Sequence, residues 1–325
     1  MKTSCSFEFN MRVVSLLPSA TDTVCALGLS ESIVGRSHEC DDEGVQGATI
    51  CTENKVEGIS QEDLSHALSA CNASVSAACR SGCCDSEFLI EYGLSVYKLD
   101  VEKLKHVKPE IILTQMQGVG PAEDEPYKFA LELALGYCPK IVHLAAANLK
   151  ETWEDVQKIS DALGQNRKGK ELIKKLHQRL ETARESCVGR KSPKVACFQW
   201  LNPLFSGSAW VPELIRLVGG QDVVGKVEEA VQVTTDQLKE ANPDVVVVAV
   251  CGMNLKKGLE NVREQAAEFV SVLPKTSQLA VVDGERLFSR PGPLLADSIE
   301  ALVEILHPEA QVYGYHGQSW KMWEE

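Results

Sequence analysis

Short apolar runs alternate along most of the chain with segments whose apolar residues recur at helical spacing. The runs predict strands, and the periodic segments predict helices. Predicted strands cover 12–17, 33–36, 96–99, 110–115, 141–145, 195–199, 244–250 and 279–282. Predicted helices cover 19–27, where Ser19 with Asp22 reads as a capping box, and then 101–107, 211–218, 235–241, 262–272 and 294–306. Because strands alternate with helices, we expect βαβ units and mostly parallel sheets, an α/β fold.

The segment from Leu149 to Cys187 departs from this alternation. Its apolar residues keep helical spacing without an intervening strand, and Gly164 is expected to divide it into two helices. A helical segment of this kind is typical of a connector between two domains. The pattern therefore predicts an N-terminal α/β lobe over 11–148, a helical connector over 149–190, a C-terminal α/β lobe over 191–310 and a C-terminal tail over 311–325.

One internal similarity supports two related halves. The sequence DVEKLKHVKPEIIL at 100–113 resembles TTDQLKEANPDVVV at 234–247. Leu104 aligns with Leu238 and Pro109 with Pro243, an offset of 134 residues in both cases (238 − 104 and 243 − 109). Each copy reads as a short helix, a proline turn and a buried strand, although many αβ turns share this pattern.

Composition and charge narrow the class of protein. Hydrophobic residues make up 44% and charged residues 24% of the 325 positions, which is ordinary for a globular protein. The net charge of −13 argues against nucleic acid or an anionic membrane as the main partner. The first ten residues have neither a secretory nor a transit pattern, and twelve cysteines then indicate free thiols in a reducing cytoplasm.

Chemically unusual residues cluster where the predicted strands end. In open α/β sheets, ligands bind beyond the carboxyl ends of the strands. The residues found there are Pro18 and Ser19, then His38, Glu39 and Cys40, then Gln115, and in the second half Trp200, Cys251, Gly252, Phe288, Arg290 and Pro291. If both lobes turn this edge to a common cleft, these side chains line one small-molecule site.

The sequence also resembles a known family. The ordered segments RVVSLLPSATDTVCALGL, GRSHEC, VKPEIILTQ, GSAWVPELIRLVGG, NPDVVVVAVCG and LFSRPGPLLADSIEALVEILHP, across about residues 11–308, resemble the cobalamin-type (iron/cobalamin periplasmic-binding-like) substrate-binding proteins of ABC importers. They are most similar to the branch that lacks a signal sequence. The resemblance implies a class III periplasmic-binding-protein fold, in which two Rossmann-like lobes are joined by a long helix and hold ligand between them.

Two features depart from the family pattern. Relatives often carry a cysteine-rich turn after the strand that ends here at Gln115, whereas the turn at 116–121 has no cysteine. This departure weakens any metal role of that turn. The cysteine-rich stretch at 71–84 is interpreted as an insertion in a surface loop.

The favoured hypothesis is a cytosolic protein that binds cobalamin or another tetrapyrrole or metal chelate. Trp200 and Phe288 would offer apolar faces, while Arg290, Gln115 and the main chain at Ser19 would hold polar edges. The alternatives are structural: Ser19 as a plain helix cap, the tryptophans as core residues, and Arg290 paired with a carboxylate such as Asp283.

Metal or thiol chemistry is a second hypothesis. His38 and Cys40 are two positions apart, so on extended backbone their side chains would point to the same side. Cys251 would complete a Cys/His/Cys site for zinc or iron, or serve a chelatase-like enzyme. Glu39 would orient the imidazole or remain solvated.

A third hypothesis is an interaction protein with a vestigial cleft. The tail contains Tyr313, Tyr315, Trp320 and Trp323, which is too aromatic for a free segment. We expect it to pack on the body of the protein or on a second subunit, which would make a homodimer.

Overall fold

The computed structural model describes residues 11–54, 97–115 and 124–324. The predictions about the stretch at 71–84 and the turn at 116–121 therefore lie outside the described residues. The chain forms two compact units, the first made of residues up to 145 with 158–169, and the second of 146–157 with 170 onward. The helical segment predicted as a connector contributes residues to both units. Among the described residues, no helix has the length and apolar character needed to cross a membrane.

The first unit is built on a five-stranded parallel sheet with the order β3-β2-β1-β6-β7. Its strands are β1 (Val13–Ser15), β2 (Ile33–Arg36), β3 (Thr49–Ile50), β6 (Ile111–Thr114) and β7 (Lys140–His143). The helices are α1 (Pro18–Ala26), α2 (Val101–Val107) and α3 (Asp124–Leu135), and β4 (Thr52–Asn54) pairs antiparallel with β5 (Tyr97–Leu99) outside the sheet. The strand order reverses between β1 and β6, which makes this point the expected ligand position of such a sheet.

The second unit contains a six-stranded sheet. Its main path is β10-β8-β11-β12-β13, and β9 pairs with β8 beside that path. The strands are β8 (Lys194–Leu201), β9 (Leu204–Ser206), β10 (Gln221–Asp222), β11 (Val245–Val248), β12 (Gln278–Val282) and β13 (Trp320–Met322). The four strands from β10 to β12 are parallel, and here the order reverses between β8 and β11.

Helices surround this second sheet. After α4 (Leu149–Ala162) and α5 (Asn166–Ser186) come α6 (Val211–Leu217), α7 (Thr235–Ala241), α8 (Leu255–Gln265), α9 (Ala267–Ser271) and α10 (Leu295–Leu306). Every residue of α10 except Asp297 is buried, so this helix is part of the core around its whole circumference. The break between α4 and α5 falls at Gly164, whose φ of +68° confirms the predicted interruption.

The internal similarity of the sequence is reproduced in the fold. Helix α2 and strand β6 correspond to α7 and β11, and all four pairs of bounds keep the offset of 134 residues. Asp100 and Thr234 occupy the N-cap of their helices, where each side chain accepts a main-chain hydrogen bond. The predicted relation between the two halves is therefore confirmed at this repeat.

Two predicted helix starts are wrong. The helix predicted over 262–272 begins seven residues earlier, because the Asn254 side chain accepts a hydrogen bond from the Lys257 amide and caps α8. At the first helix, Leu17 is the N-cap and Pro18 occupies the first turn, so Ser19 lies within α1 and is not its cap. Proline suits this position because its fixed φ is already helical.

The aromatic tail folds onto the second unit. Strand β13 pairs antiparallel with β12, and Trp320 is 5% exposed. The Glu304 carboxylate of α10 accepts hydrogen bonds from the amides of Tyr313 and Gly314, each at 2.5 Å, and from Nε1 of Trp320 at 2.8 Å. Packing of the tail on the body of the protein is thus confirmed, while a homodimer through the tail stays a prediction.

Candidate functional site

The carboxyl edge of the first sheet ends in polar residues that are almost fully buried. Ser15 closes β1, Arg36 closes β2, Thr114 closes β6 and His143 closes β7, and none of the four is more than 7% exposed. Buried polar groups are normally hydrogen-bonded, and rows of them are unusual where apolar residues would pack more easily. This edge is therefore built for polar contacts and not for packing alone.

Arg36 shapes the turn that follows β2. Its guanidinium donates from Nη1 to the Cys40 carbonyl oxygen at 2.8 Å and from Nη2 to Oε1 of Gln46 at 3.1 Å. The Cys40 amide bonds back to the carbonyl oxygen of Ser37 at 3.2 Å. Residues 37–40 consequently form a closed turn rather than the extended segment expected from the sequence.

His38 is held in one orientation at this turn. Its main-chain amide donates to Oγ1 of Thr52 at 3.1 Å, and Nδ1 of its ring lies 2.8 Å from the same oxygen. The side chain keeps 22% of its surface exposed, and Oε1 of Glu39 lies 4.0 Å from Nε2. A hydrogen bond at one ring nitrogen fixes the plane in which the other nitrogen lies, as in metal-binding histidines.

The thiol of Cys40 points away from the His38 ring. The residue is 2% exposed, and its Sγ lies 3.0 Å from Oγ1 of Thr21 in α1. The expectation that His38 and Cys40 present adjacent side chains is wrong, because the turn directs the imidazole to Thr52 and the thiol to Thr21. Cys40 therefore has a structural place beneath α1.

Three further residues complete the edge of the first unit. Pro18 is partly exposed at the start of α1, whereas Ser19 is 5% exposed inside that helix. Leu17 holds the cap position, so Ser19 is the second residue of α1, and its main-chain amide lies in the first turn, where the predicted anion contact stays a prediction. Gln115 follows β6 directly and is partly exposed, beside the point where the strand order reverses.

Trp200 provides the aromatic surface of the second unit. Strand β8 extends past its pairing with β11, and Trp200 pairs with Phe205 of β9 in that extension. The indole is half-buried, and its Nε1 donates to the carbonyl oxygen of Asn202 at 3.0 Å. The ring is thus held in one orientation while part of it remains accessible, which suits stacking on a flat ligand.

Cys251 and Gly252 form the turn after β11. The residue Cys251 is exposed as a whole, but its thiol accepts a hydrogen bond from Oγ of Ser289 at 3.3 Å, and desolvation raises the pKa of this thiol. Gly252 has a φ of +73° with open space where a Cβ would stand. The positive φ requires glycine for its backbone conformation, and the open space is compatible with the predicted close approach of a ligand.

Phe288, Arg290 and Pro291 lie in the loop between β12 and α10. Phe288 is 0% exposed, so its ring belongs to the core and offers no face to a ligand, contrary to expectation. Arg290 is 5% exposed and donates from Nε to the Glu285 carbonyl oxygen at 2.9 Å, and its charge acts on the Asp283 carboxylate. Arg290 is thus buried and held by the main chain of its own loop, while a direct pairing with Asp283 stays a prediction, and Pro291, next to this arginine, is only partly buried.

Trp210 also belongs to the core. It is 9% exposed, and its Nε1 donates to the Phe288 carbonyl oxygen at 2.6 Å. This bond joins the start of α6 to the loop before α10, so Trp210 supports the edge of the second sheet from within.

The structure does not assemble the expected metal site. Across residues 11–54, 97–115 and 124–324, no three His, Cys, Asp or Glu side chains come together as metal ligands. Cys40 bonds to Thr21 and Cys251 to Ser289 within their own units. The proposed set of His38, Cys40 and Cys251 therefore gains no support from the described residues.

Sequence reasoning missed the residues beneath the exposed edge. Thr52 orients His38 from β4, and Thr114 and His143 are register partners at the ends of β6 and β7. A polar residue ending each apolar run was visible in the sequence. The order of the strands in the sheet places these strand ends side by side, and that order cannot be deduced from the local sequence pattern.

Comparison with known proteins identifies the class. The family model described as "Periplasmic binding protein" matches residues 94–269, more than half of the chain. The chain belongs to this family of two-lobed substrate-binding proteins. The predicted resemblance to such proteins and the class III fold with mostly parallel sheets are both confirmed.

Particular relatives are distant. An uncharacterized ABC transporter substrate-binding lipoprotein, YvrC of Bacillus subtilis, is 20% identical over 305 residues, covering 92% of this chain and 80% of its own. The periplasmic vitamin B12 binding protein BtuF of Vibrio cholerae is 19% identical with a TM-score of 0.59, covering 91% of this chain and 96% of its own. The periplasmic heme-binding protein RhuT of Roseiflexus sp. RS-1 is 18% identical with a TM-score of 0.62, and the match covers 93% of this chain and 99% of RhuT. At these identities the structural likeness shows the fold.

Proposed function

We propose that this protein binds a planar metal chelate, of corrinoid or haem type, at the carboxyl edges of its sheets. The proposal is supported by the family and by relatives described as binding vitamin B12 and heme. Such relatives establish the kind of ligand that this fold accommodates. The residues of this chain supply the argument for how it is recognised.

The observation that carries the proposal is that His38 and Trp200 are both partly exposed and both fixed by hydrogen bonds. Thr52 orients the imidazole, and the Asn202 carbonyl oxygen orients the indole. The Nε2 atom of His38 is buried, so the imidazole would have to turn outward to ligate the metal of a chelate. The oriented indole can cover the flat face of the chelate as it stands. Fixing the indole in advance lowers the entropy lost on binding.

The buried row beneath this edge gives it rigidity. Arg36 closes the turn that carries His38, and Thr114 and His143 lie under the strand end next to Gln115. Gln115 and the partly exposed Pro18 then offer an amide and an apolar ring to the ligand periphery. The second unit adds Cys251 and Gly252 at the turn next to Trp200.

The pKa values of the thiols do not support the alternative hypothesis of a thiol-dependent enzyme. Burial raises the pKa of Cys25 to about 12 and of Cys51 to about 11, and desolvation raises the pKa of Cys251. These thiols are therefore protonated at neutral pH, whereas a nucleophile or a metal ligand needs the thiolate. Binding without a covalent step is the function that the geometry favours.

Absorbance titration of the apoprotein with aquocobalamin and with haemin tests the proposal. We expect saturable binding of one of them, with a shift of its visible bands because an imidazole approaches the metal. His38→Ala should abolish that shift, while His106→Ala, a change at an exposed histidine in the last turn of the repeat helix α2, should leave it intact. Absence of any spectral change and of any thermal stabilisation with both chelates would overturn the proposal.

We also propose that the protein works in a reducing compartment, the cytoplasm. All seven cysteines that the structure describes are free thiols. Alkylation of denatured protein taken directly from cells, without prior reduction, should modify all twelve cysteines of the chain. Recovery of a disulfide-linked pair under these conditions would contradict this location.

A further inference from the structure

An open cavity lies in the second unit, at the amino end of its sheet. Its volume is about 710 Å³. Its walls are the end of α5, the loop that leads to β8, the last turn of α6 and the first residue of α4. Because β8 begins at Lys194, directly after this loop, the cavity lies at the opposite end of β8 from Trp200.

The cavity is rich in cationic side chains. Arg184, Arg190, Lys191 and Arg216 line it, and Glu213 is its one lining carboxylate. Oε2 of Glu213 already accepts a hydrogen bond from the Leu149 amide at 2.8 Å. Such a concentration of positive charge stands out in a chain whose net charge is −13.

Two of these cations are fixed and two are available. Arg184 pairs with Glu181, and Arg190 donates to Oε1 of Glu309 at 3.1 Å and to the Ser186 carbonyl oxygen at 2.7 Å. Lys191 and Arg216 are exposed, and neither forms an ion pair with any residue that the structure describes. The fixed arginines define the wall, and the other two can close on an incoming anion.

The remaining lining is apolar. Leu149, Val188 and Leu217 contribute to it, and Val188 is 71% exposed. An exposed valine next to unpaired cations matches an amphipathic ligand, one part apolar and one part anionic. Pockets for small ligands combine an apolar lining with a few polar groups in the same way, and they span about 300–1,000 Å³.

We propose that this cavity binds a small organic anion that carries a phosphate or carboxylate group on an apolar body. Helix dipoles by themselves account for Arg184 and Arg216, which lie in the last turns of α5 and α6. They do not account for Arg190 and Lys191, which lie in the loop. The site is separate from the chelate site and does not depend on it.

Calorimetric titration with three probes tests the site: phenyl phosphate, inorganic phosphate and phenol. Phenyl phosphate should bind more tightly than inorganic phosphate, and phenol should not bind measurably. The variant K191E/R216E should weaken phenyl phosphate at least about tenfold, since charge-assisted hydrogen bonds are lost. Benzoate, added as a fourth probe in place of phenyl phosphate, reports whether a carboxylate group suffices.

The matched control is K256E/K257E on α8, which changes the charge of the same unit by the same amount at two exposed lysines. It should leave the affinity within about twofold, because screening limits distant charges. Val188→Glu, which adds a carboxylate at an exposed position of the lining, should also weaken binding if K191E/R216E does not fold. Equal losses in the control and the test variant, or no binding of phenyl phosphate to the wild type at millimolar concentration, would overturn the proposal.

Discussion

Lys108 and Asn242 occupy the same position in the two copies of the internal repeat. Each ends its helix in the left-handed conformation, with φ of 44° at Lys108 and 50° at Asn242, and each precedes a proline. Their amides bond back to the carbonyl oxygens of Leu104 and Leu238, which are also equivalent. The backbone geometry of the repeat is thus conserved within the chain although the residue at its turn is not.

This equivalence predicts opposite effects of reciprocal substitutions. Asparagine tolerates the left-handed region better than lysine does. Lys108→Asn should therefore stabilise the first unit by about 0.5–1 kcal/mol, and Asn242→Lys should destabilise the second unit by a similar amount. Urea unfolding followed by circular dichroism measures both changes in stability. Tryptophan fluorescence would not, because all five tryptophans lie beyond residue 150 and report only on the second unit. Equal signs for the two substitutions would contradict the assignment.

Two buried threonines of the first unit should respond differently to replacement by valine. The Thr114 hydroxyl is buried and has no hydrogen-bond partner in the part of the chain that the structure describes. Thr114→Val should leave stability unchanged or raise it by up to about 1 kcal/mol, since a desolvated hydroxyl is removed. The melting temperature and the urea midpoint check this. A clear loss of stability would mean that the hydroxyl is engaged.

Thr52→Val should act in the other direction. The Thr52 oxygen contacts both the amide and the ring of His38, so its loss should destabilise the first unit by about 1–2 kcal/mol. It should also weaken chelate binding, because the imidazole is no longer oriented. Spectral titration of Thr52→Val beside Thr114→Val separates orientation of His38 from the general effect of removing a hydroxyl.

The bond from Trp210 to Phe288 predicts a stability effect in the second unit. Phe288 has a φ of +67°, which is unfavourable for a bulky residue, and Trp210 bonds to its carbonyl oxygen. Trp210→Phe leaves that buried oxygen without its donor and should cost about 1–3 kcal/mol in urea unfolding. Trp323→Phe, at a partly exposed residue of the tail, is the control and should cost less than about 1 kcal/mol.

Glu304 predicts a dependence of the tail on pH. Desolvation raises the pKa of this carboxyl, but hydrogen bonds from Trp320 and from the amides of Gly314 and Tyr313 outweigh that effect and lower it below the ordinary 4.5. Since folding lowers the pKa, the stabilisation is present above pH 4.5 and is lost as the pH falls through the folded value. Limited proteolysis should release the tail from the wild type only in acid.

Glu304→Gln provides the comparison. Its amide oxygen keeps part of the acceptor function without the charge, so the tail should be cleaved more readily at neutral pH than in the wild type. Cleavage should then change little between pH 7 and pH 4. If the wild type and Glu304→Gln show the same pH dependence, another group controls the tail.

The repeat and the strands could be predicted from the sequence because their signals are local. The β-branched run of β11 and the Thr234 cap of α7 are each contained within a few residues. The start of α8 was missed because the Asn254 cap is followed by two lysines and a glycine, which hide the helical period. The prediction that Ser19 caps the first helix was wrong, because proline at position 18 is itself favoured in the first turn of a helix.

The site was predictable only in its outline. Most strand ends were located to within a few residues, but Trp200 was expected after a strand and lies within β8. Ligand positions in α/β folds follow from the topology of these ends. The direction of each side chain was not, because it depends on partners far along the chain, such as Thr52 for His38 and Trp210 for the loop at Phe288. Burial of Phe288 and Arg290 is likewise a property of the packed second unit and not of their neighbours in sequence.

Native mass spectrometry of the apoprotein mixed with equimolar cobalamin and haemin shows whether the protein binds a chelate. We expect a one-to-one complex with one of the two chelates, which Trp200→Ala weakens by at least about tenfold because stacking is lost. Trp323→Ala, at a partly exposed tryptophan in the tail, should leave that complex in place. Spectra that show only the bare chain with both chelates, or equal losses from the two tryptophan variants, would contradict the proposed function.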